Sequence, residues 1–423
     1  MLFSFFLLLT LGLFTWLSIR HFHSALLLFL ALFPTYLIRF SLGPLPTTLL
    51  ELCFFVLFGV WVVRRLRAHT LFLPSRGILV FFFLLSILPL AVVPGEHLLS
   101  SLGLWRAYFL EPFLLGWILW HELQDETIRL RAFLGLSLSG FFLAALGIFQ
   151  FSTGLGIPAP WDIERRITSV FDYPNALGLF LAPLLSALLV FGICTWKNRL
   201  PHEKTFLAGA CTVMLLAIIL AKTEAALVAV PAAVFISLFI SPLILRKHKI
   251  IAGVFASLAL VGAFAFPHIR AKLLLQDFSG GVRLSQWKET IELLKDHPIT
   301  GAGIGYYPEL LRTSYHHDWQ YEIFQYPHNI LLNIWVELGI LGVVLFLVGA
   351  CYLGRSVWKQ RSSPLPLAAG AALLAMAIHG LVDVPFFKND LAMMTVVFVI
   401  FIMGAAGSKD GNIGSMHGST GSK

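Results

Sequence analysis

The sequence predicts an all-α, polytopic integral membrane protein with 12–13 transmembrane helices and one large, partly helical outer loop. Three observations predict it. Charged residues make up 12% of the chain against 58% hydrophobic, and mean hydropathy is +0.84, whereas a soluble domain carries about 25% charged residues. Apolar runs of some 16 to 22 residues recur from end to end, each close to the ~20 residues that cross a bilayer as a helix. The runs are continuous, unlike the short alternating segments of a membrane β-barrel.

Candidate spans lie at 2–19, 24–40, 47–63, 76–93, 105–120, 130–152, 174–196, 205–221, 224–245, 250–267, 328–353, 364–384 and 389–406. The first has no positive flank and no small-residue cleavage site, so it reads as a retained helix and not as a signal peptide. Basic clusters at Arg64-Arg65-Arg67, Lys197 with Arg199, Arg246-Lys247-Lys249, and Arg355 with Lys359 and Arg361 sit in short loops beside apolar runs. Clusters in that position mark the cytoplasmic side. Alternation then puts Val93–Leu104, Gly154–Tyr173, the Lys222–Glu224 link, 268–327 and Asp383–Asp390 outside. Thirteen spans leave the N-terminus outside; twelve, with the N-terminus inside, is the alternative. The chain divides into an N-terminal transmembrane bundle (1–267), the outer loop (268–327), C-terminal transmembrane helices (328–407) and a Gly/Ser-rich, disordered tail (408–423).

The net charge of +8 is distributed as topology signals, which argues against a nucleic-acid partner. Cys53, Cys194, Cys211 and Cys351 lie in or beside apolar runs with no CxxC pair, so neither a disulfide framework nor a cysteine metal site is expected. His316-His317-Asp318 resembles a metal triplet, but adjacent histidines cannot easily share one face toward an ion, and no metal is expected.

The outer segment holds the longest polar stretch, with its charges near balance. From Arg283 to Leu294, the residues Leu284, Trp287, Ile291 and Leu294 recur at three- and four-residue spacing, predicting an amphipathic helix. Asp296-His297-Pro298 ends it. Such a helix can lie on the membrane surface with Trp287 at headgroup depth. Gly301-Ala302-Gly303-Ile304-Gly305 is not a dinucleotide loop, because no strand precedes it. It is read as a tight turn bringing Arg283 and His328 together. Pro327-His328-Asn329 then opens a new apolar helix.

The order of these features resembles the O-antigen ligase/polymerase superfamily: the Arg283-x-x-x-Trp287 helix, Pro298-x-x-Gly301-x-Gly303-x-Gly305-Tyr306, Pro327-His328-Asn329, and Glu337-x-Gly339. So does Arg166-Ile167-x-Ser169-x-Phe171-x-x-Pro174-Asn175. The resemblance spans roughly 140–400. One departure is Lys222-Thr223-Glu224-Ala225, where the family often has Ser-Arg-Gly.

The resemblance implies a GT-C-like glycosyltransferase that moves a glycan from undecaprenyl diphosphate to an acceptor hydroxyl, such as a lipid A-core, on the outer face of the bacterial cytoplasmic membrane. It implies no metal and no other cofactor, because the diphosphate lipid is itself the leaving group. Polymerisation of glycan repeats and glycosylation of protein hydroxyls are the alternatives within that chemistry. A secondary transporter or flippase is the alternative from another class, but no internal repeat is visible and the polar groups cluster at one face.

Within this frame Arg283 grips the diphosphate, since its planar fork donates paired hydrogen bonds to phosphate oxygens; the plain alternative is an arginine snorkelling to headgroups. Arg166 is a second phosphate contact or a surface ion pair with Glu164 or Asp162. His328 handles the acceptor proton or caps a helix. Asn329, Asn333 and Glu337 share a helical stripe below it, forming either the floor of an acceptor cleft or interhelical hydrogen bonds. Trp287, Lys222 and Asp383 complete the set of substrate-binding candidates, with ion pairing the default for Lys222 with Glu224, for Asp383 with Lys388 and Asp390, and for Arg106 with Glu111.

Overall fold

The computed structural model describes residues 2–43, 45–70, 97–317 and 323–410. The expected span at 76–93 and most of the expected tail, 411–423, lie outside the described residues. Among the described residues the regular secondary structure is helical apart from one antiparallel hairpin, in which Arg39–Leu42 pairs with Leu45–Thr48.

Four helices among the described residues are long and apolar enough to cross a membrane: Glu126–Thr153, Pro174–Asn198, Pro201–Leu220 and Ile330–Lys359. Shorter apolar helices include Phe22–Ala31, Glu224–Ile240 and Pro364–His379. The run at 24–40 is not one span. It is the ten-residue Phe22–Ala31 helix, a 3-10 turn Phe33–Leu37 carrying Pro34, and the first hairpin strand. Proline supplies no N–H to continue the helix. The hairpin leads into Leu49–Arg67, where the Thr48 side chain accepts from Glu51 N and Glu51 accepts from Thr48 N, a reciprocal cap of the helix start. The last helix, Asn389–Asp410, runs past 408, the expected start of the tail.

The Pro174–Thr195 helix is the centre of the bundle. It is apolar all round, and Leu177, Phe180, Leu181, Leu184, Leu185 and Leu188 are fully buried, as expected for a helix enclosed on every side. Pro364–His379, Glu224–Ile240 and Pro201–Leu220 all pack on it. By contrast, Arg246–Ala265 leaves Ile250, Val254, Phe255, Leu258 and Val261 exposed. A continuous apolar surface of that extent belongs against lipid or protein, not water.

Ile330–Lys359 is broken at Gly339, whose φ of 68° and ψ of −175° are essentially glycine-only. The break admits the backbone of Ile299: Ile340 N donates to Ile299 O at 3.1 Å, and a Cβ on Gly339 would lie 2.0 Å from that oxygen. The stretch after the break, 340–359, is about 30 Å long at 1.5 Å per residue, about the thickness of the hydrocarbon core.

Candidate active site

The amphipathic helix predicted from Arg283 to Leu294 is Phe278–Asp296, opened by Asp277, whose side chain accepts from Gly280 N, and ended at His297. Its packed face differs from the apolar stripe seen in the sequence. Leu284 and Ile291 are exposed, while Gln286, Glu289, Thr290 and Leu293 are buried. The polar face is turned inward because it holds the irregular segment that follows. Gln286 Nε2 donates to Tyr326 O at 3.1 Å and Trp287 Nε1 to Pro327 O at 2.7 Å. Thr290 Oγ1 meets the Tyr307 hydroxyl at 2.8 Å. Glu289 accepts from His317 N and pairs with His316 Nδ1. Trp287 is thus tied to the residue immediately before His328.

The glycine turn docks on the broken helix. Ala302 N and Gly303 N donate to Val336 O at 2.8 and 3.1 Å, and Gly305 N donates to Glu337 Oε2 at 2.7 Å. Gly301, at φ 68°, lies so close that a Cβ would sit 2.3 Å from the carbonyl oxygens of Trp335 and Val336. The turn fixes where the 330–359 helix stands. It does not itself join Arg283 to His328.

The joining is done by the turn after Pro364–His379. Four consecutive residues there are each held from the 278–330 region. Gly380 O accepts from Ile330 N at 2.7 Å. Leu381 O accepts from Asn329 Nδ2 at 3.0 Å. Val382 O accepts from Arg283 Nε at 3.0 Å. The Asp383 carboxylate lies 3.5 Å from His328 Nδ1. Asn329 also caps its own helix, its Oδ1 accepting from Leu331 N and Leu332 N. Arg283 spends Nε on Val382 and Nη1 on Ser279 O; among the described residues its Nη2 makes no hydrogen bond.

His328 has a left-handed backbone, φ 48°, a region where histidine is enriched several-fold among non-glycine residues. The bond from Trp287 to Pro327 O on one side and the Asn329 cap on the other hold it there. Its ring meets Phe324 and Tyr326 edge-on, with centroids 4.8 and 5.2 Å away. Burial pushes the Asp383 carboxyl up, but the His328 imidazole 3.5 Å away, with the charges of His379 and Lys388, outweighs it and holds the carboxyl below the usual range. Asp383 is therefore a carboxylate, and His328 Nδ1 faces an acceptor.

Two tyrosines missed in the sequence complete this centre. The Tyr326 and Tyr173 hydroxyls are 3.0 Å apart, and the Lys388 ammonium donates to Tyr173 and lies over its ring. Burial raises the Tyr326 phenol well above its ordinary value, helped by Asp383, so it stays protonated. The signal was present as Tyr326-Pro327 and Tyr173-Pro174, two of the three Tyr-Pro pairs in the chain, each just before a helix. Lys388, expected only in an ion pair, is thus part of the hydroxyl chain.

Arg166 and Lys222 form a separate group. Arg166 donates through Nε to Ala221 O at 3.2 Å and through Nη2 to Lys222 O at 3.4 Å, and lies over the Trp161 ring. Burial lowers the Arg166 guanidinium from its ordinary value, with Glu164 and Glu224 acting against that. Lys222, at φ 53°, pairs with Glu164 at 3.4 Å and not with Glu224, which pairs with Lys272. Thr223 Oγ1 donates to Pro174 O at 3.3 Å, so this group connects to the Tyr173 end of the centre through the backbone and not through Arg166 itself. Asn333 is buried with neither side-chain atom hydrogen-bonded among the described residues, and Glu337 is committed to the glycine turn. Arg106 bridges two buried carboxylates, Glu51 at 2.8 Å and Glu111 at 3.2 Å.

A family model described as O-Antigen ligase matches residues 209–347. Those residues carry the O-antigen ligase signature. No curated protein matches the chain. The O-antigen ligase match contains Lys222, Arg283, Trp287, the glycine turn, His328, Asn329, Asn333 and Glu337. Arg166 and Tyr173 lie before it; Asp383 and Lys388 lie after it. Half of the His328–Asp383 pair therefore comes from outside the matched stretch, from the turn that Arg283 and Asn329 hold in place.

Proposed function

We propose that the chain is a membrane glycosyltransferase that transfers a glycan from an undecaprenyl-diphosphate carrier to an acceptor hydroxyl on the outer face of the bacterial cytoplasmic membrane, as an O-antigen ligase does. The observation that carries it is the convergence of Arg283, His328 and Asp383 on the 380–383 turn, together with the family match to residues 209–347. The fold we propose is the full bundle of 12–13 spans in a GT-C-like arrangement. The basic loops are cytoplasmic and 268–327 is outside, with the exposed Leu284–Ile291 stripe against lipid.

In the reaction, Asp383 holds Nδ1–H of His328, leaving Nε2 with its lone pair free to take the acceptor proton. The acceptor oxygen then attacks the anomeric carbon. The bond from that carbon to the phosphate oxygen breaks, and the undecaprenyl diphosphate leaves with the electron pair. Arg283 Nη2 is free to donate to it as its charge grows. Arg166 or Lys222 serves the second phosphate. Charge on the departing group is met by guanidinium and ammonium groups, so the transfer needs no metal.

An acceptor such as a lipid A-core distinguishes ligation from repeat polymerisation, and ligation is the assignment we favour. The direct test is reconstitution: the purified chain, given a polyprenyl-diphosphate glycan and an acceptor in vesicles, should release polyprenyl diphosphate and extend the acceptor in the presence of a chelator. Movement of the intact lipid-linked glycan across the bilayer without transfer would instead indicate a flippase.

A further inference from the structure

The Pro201–Leu220 and Glu224–Ile240 helices both pack on Pro174–Thr195 but scarcely on each other. Between them lies a groove of about 670 Å³, within the ~300–1,000 Å³ of ordinary ligand sites. Its lining includes Leu189, Leu215, Val230 and Val234; among the described residues the polar side chains that enter it are His248 and Lys249, the latter beside Phe239 at the C-terminal end of Glu224–Ile240. Both belong to the run Arg246-Lys247-His248-Lys249, and among the described residues none of the four is paired with a carboxylate. The Lys249 ammonium is held 6.0 Å from the Phe239 ring centroid, over the mouth.

An apolar channel with cations at one end alone matches an amphiphile with an anionic head. The basic end also lies away from the candidate active site. Glu224, at the other end of the 17-residue helix, neighbours Lys222 and Thr223, and the two ends are separated by about 25 Å at 1.5 Å per residue. We propose that this groove binds one acidic phospholipid, with an acyl chain between the two helices and the headgroup phosphate at Lys249. Basic segments next to membrane helices attract acidic headgroups, and the groove adds a defined place for the chain. The site is independent of glycan transfer and stands or falls without it.

The test is native mass spectrometry of the full-length chain in mild detergent, titrated with phosphatidylglycerol and with phosphatidylcholine of the same acyl chains. One phosphatidylglycerol should remain per chain, bound at least about tenfold more tightly than phosphatidylcholine, as a headgroup-selective site requires. Lys249→Glu, a change at the mouth, should bring phosphatidylglycerol down to the phosphatidylcholine level with no change in thermal midpoint. Val230→Trp, which fills the groove, should weaken both lipids. Equal binding of the two headgroups, unsaturable binding of an annular kind, or a Lys249→Glu variant that keeps the preference would overturn the proposal. So would an undecaprenyl phosphate that displaces phosphatidylglycerol at equal concentration.

Discussion

His328 Nδ1 and Asp383 Oδ1 are 3.5 Å apart although they stand 55 positions apart in the chain, and Asp383 follows directly on the residue whose carbonyl Arg283 holds. The group proposed to handle the acceptor proton and the group proposed to bind phosphate are therefore both held to the same four-residue turn.

If Asp383 orients the imidazole and stabilises it once protonated, Asp383→Asn should lower kcat by on the order of 10²-fold with KM for the donor little changed. The pH dependence of stability follows from the sign of the shift. The folded-state carboxyl lies below its ordinary value, so its contribution is present above the unfolded value of about 4 and lost as pH falls through the folded one. The thermal midpoint gap between wild type and Asp383→Asn should persist from pH 7.5 to 5.5 and close only in stronger acid. A gap that closes between pH 7.5 and 5.5 would mean that Asp383 is not a carboxylate there.

Arg283→Lys should lose most activity, because a point charge reproduces neither the Nε bond to Val382 nor a forked contact to phosphate. Loss of one charge-assisted contact costs about 2–3 kcal/mol, which should appear in kcat/KM. An unchanged turnover would favour a guanidinium that only snorkels to headgroups.

Gly339→Ala tests the docking of the glycine turn. The alanine would occupy a glycine-only conformation, at a cost of about 1–3 kcal/mol, and its Cβ would displace Ile299 O. We expect a lower thermal midpoint and lost transfer. A fully stable, active variant would show that the break is not needed.

Much of this was legible in the sequence. A helix over Arg283–Leu294, its stop at Asp296-His297-Pro298, the glycine turn and a new helix opening at Pro327-His328-Asn329 all came from local spacing and chain-breaking residues, which are short-range effects. What was not legible was long-range. The sequence showed Leu284, Trp287 and Ile291 as a stripe, but not that Gln286, Glu289 and Thr290 would be buried by bonding to residues 307–326. Asp383 stood as one candidate among several outer carboxylates, because its pairing with His328 depends on a turn held by three other residues. The 24–40 run was apolar enough to be read as a span, yet Pro34 ends the helix and the hairpin takes the rest. Tyr173 and Tyr326 were overlooked because tyrosine beside proline is common in loops, and only their mutual hydrogen bond gives them significance.

Topology is tested by labelling single cysteines introduced into a variant from which Cys53, Cys194, Cys211 and Cys351 have been removed. Ser314→Cys should react with an impermeant reagent from outside, and Ser363→Cys only after permeabilisation. Protection of both until permeabilisation would overturn the orientation and remove the proposed chemistry from the outer face.

The most direct test of the central claim is the analysis of lipid-linked and acceptor-linked glycans in a strain carrying His328→Ala, with the protein present at wild-type level. If His328 takes the acceptor proton and Arg283 the diphosphate, as proposed, the variant still holds the donor. Finished, long glycans should then accumulate on the polyprenyl diphosphate while the acceptor stays bare. Single repeats on the acceptor would contradict ligation and point to a polymerase, with the glycosyltransferase chemistry intact. Normal long-chain product in that strain would contradict both.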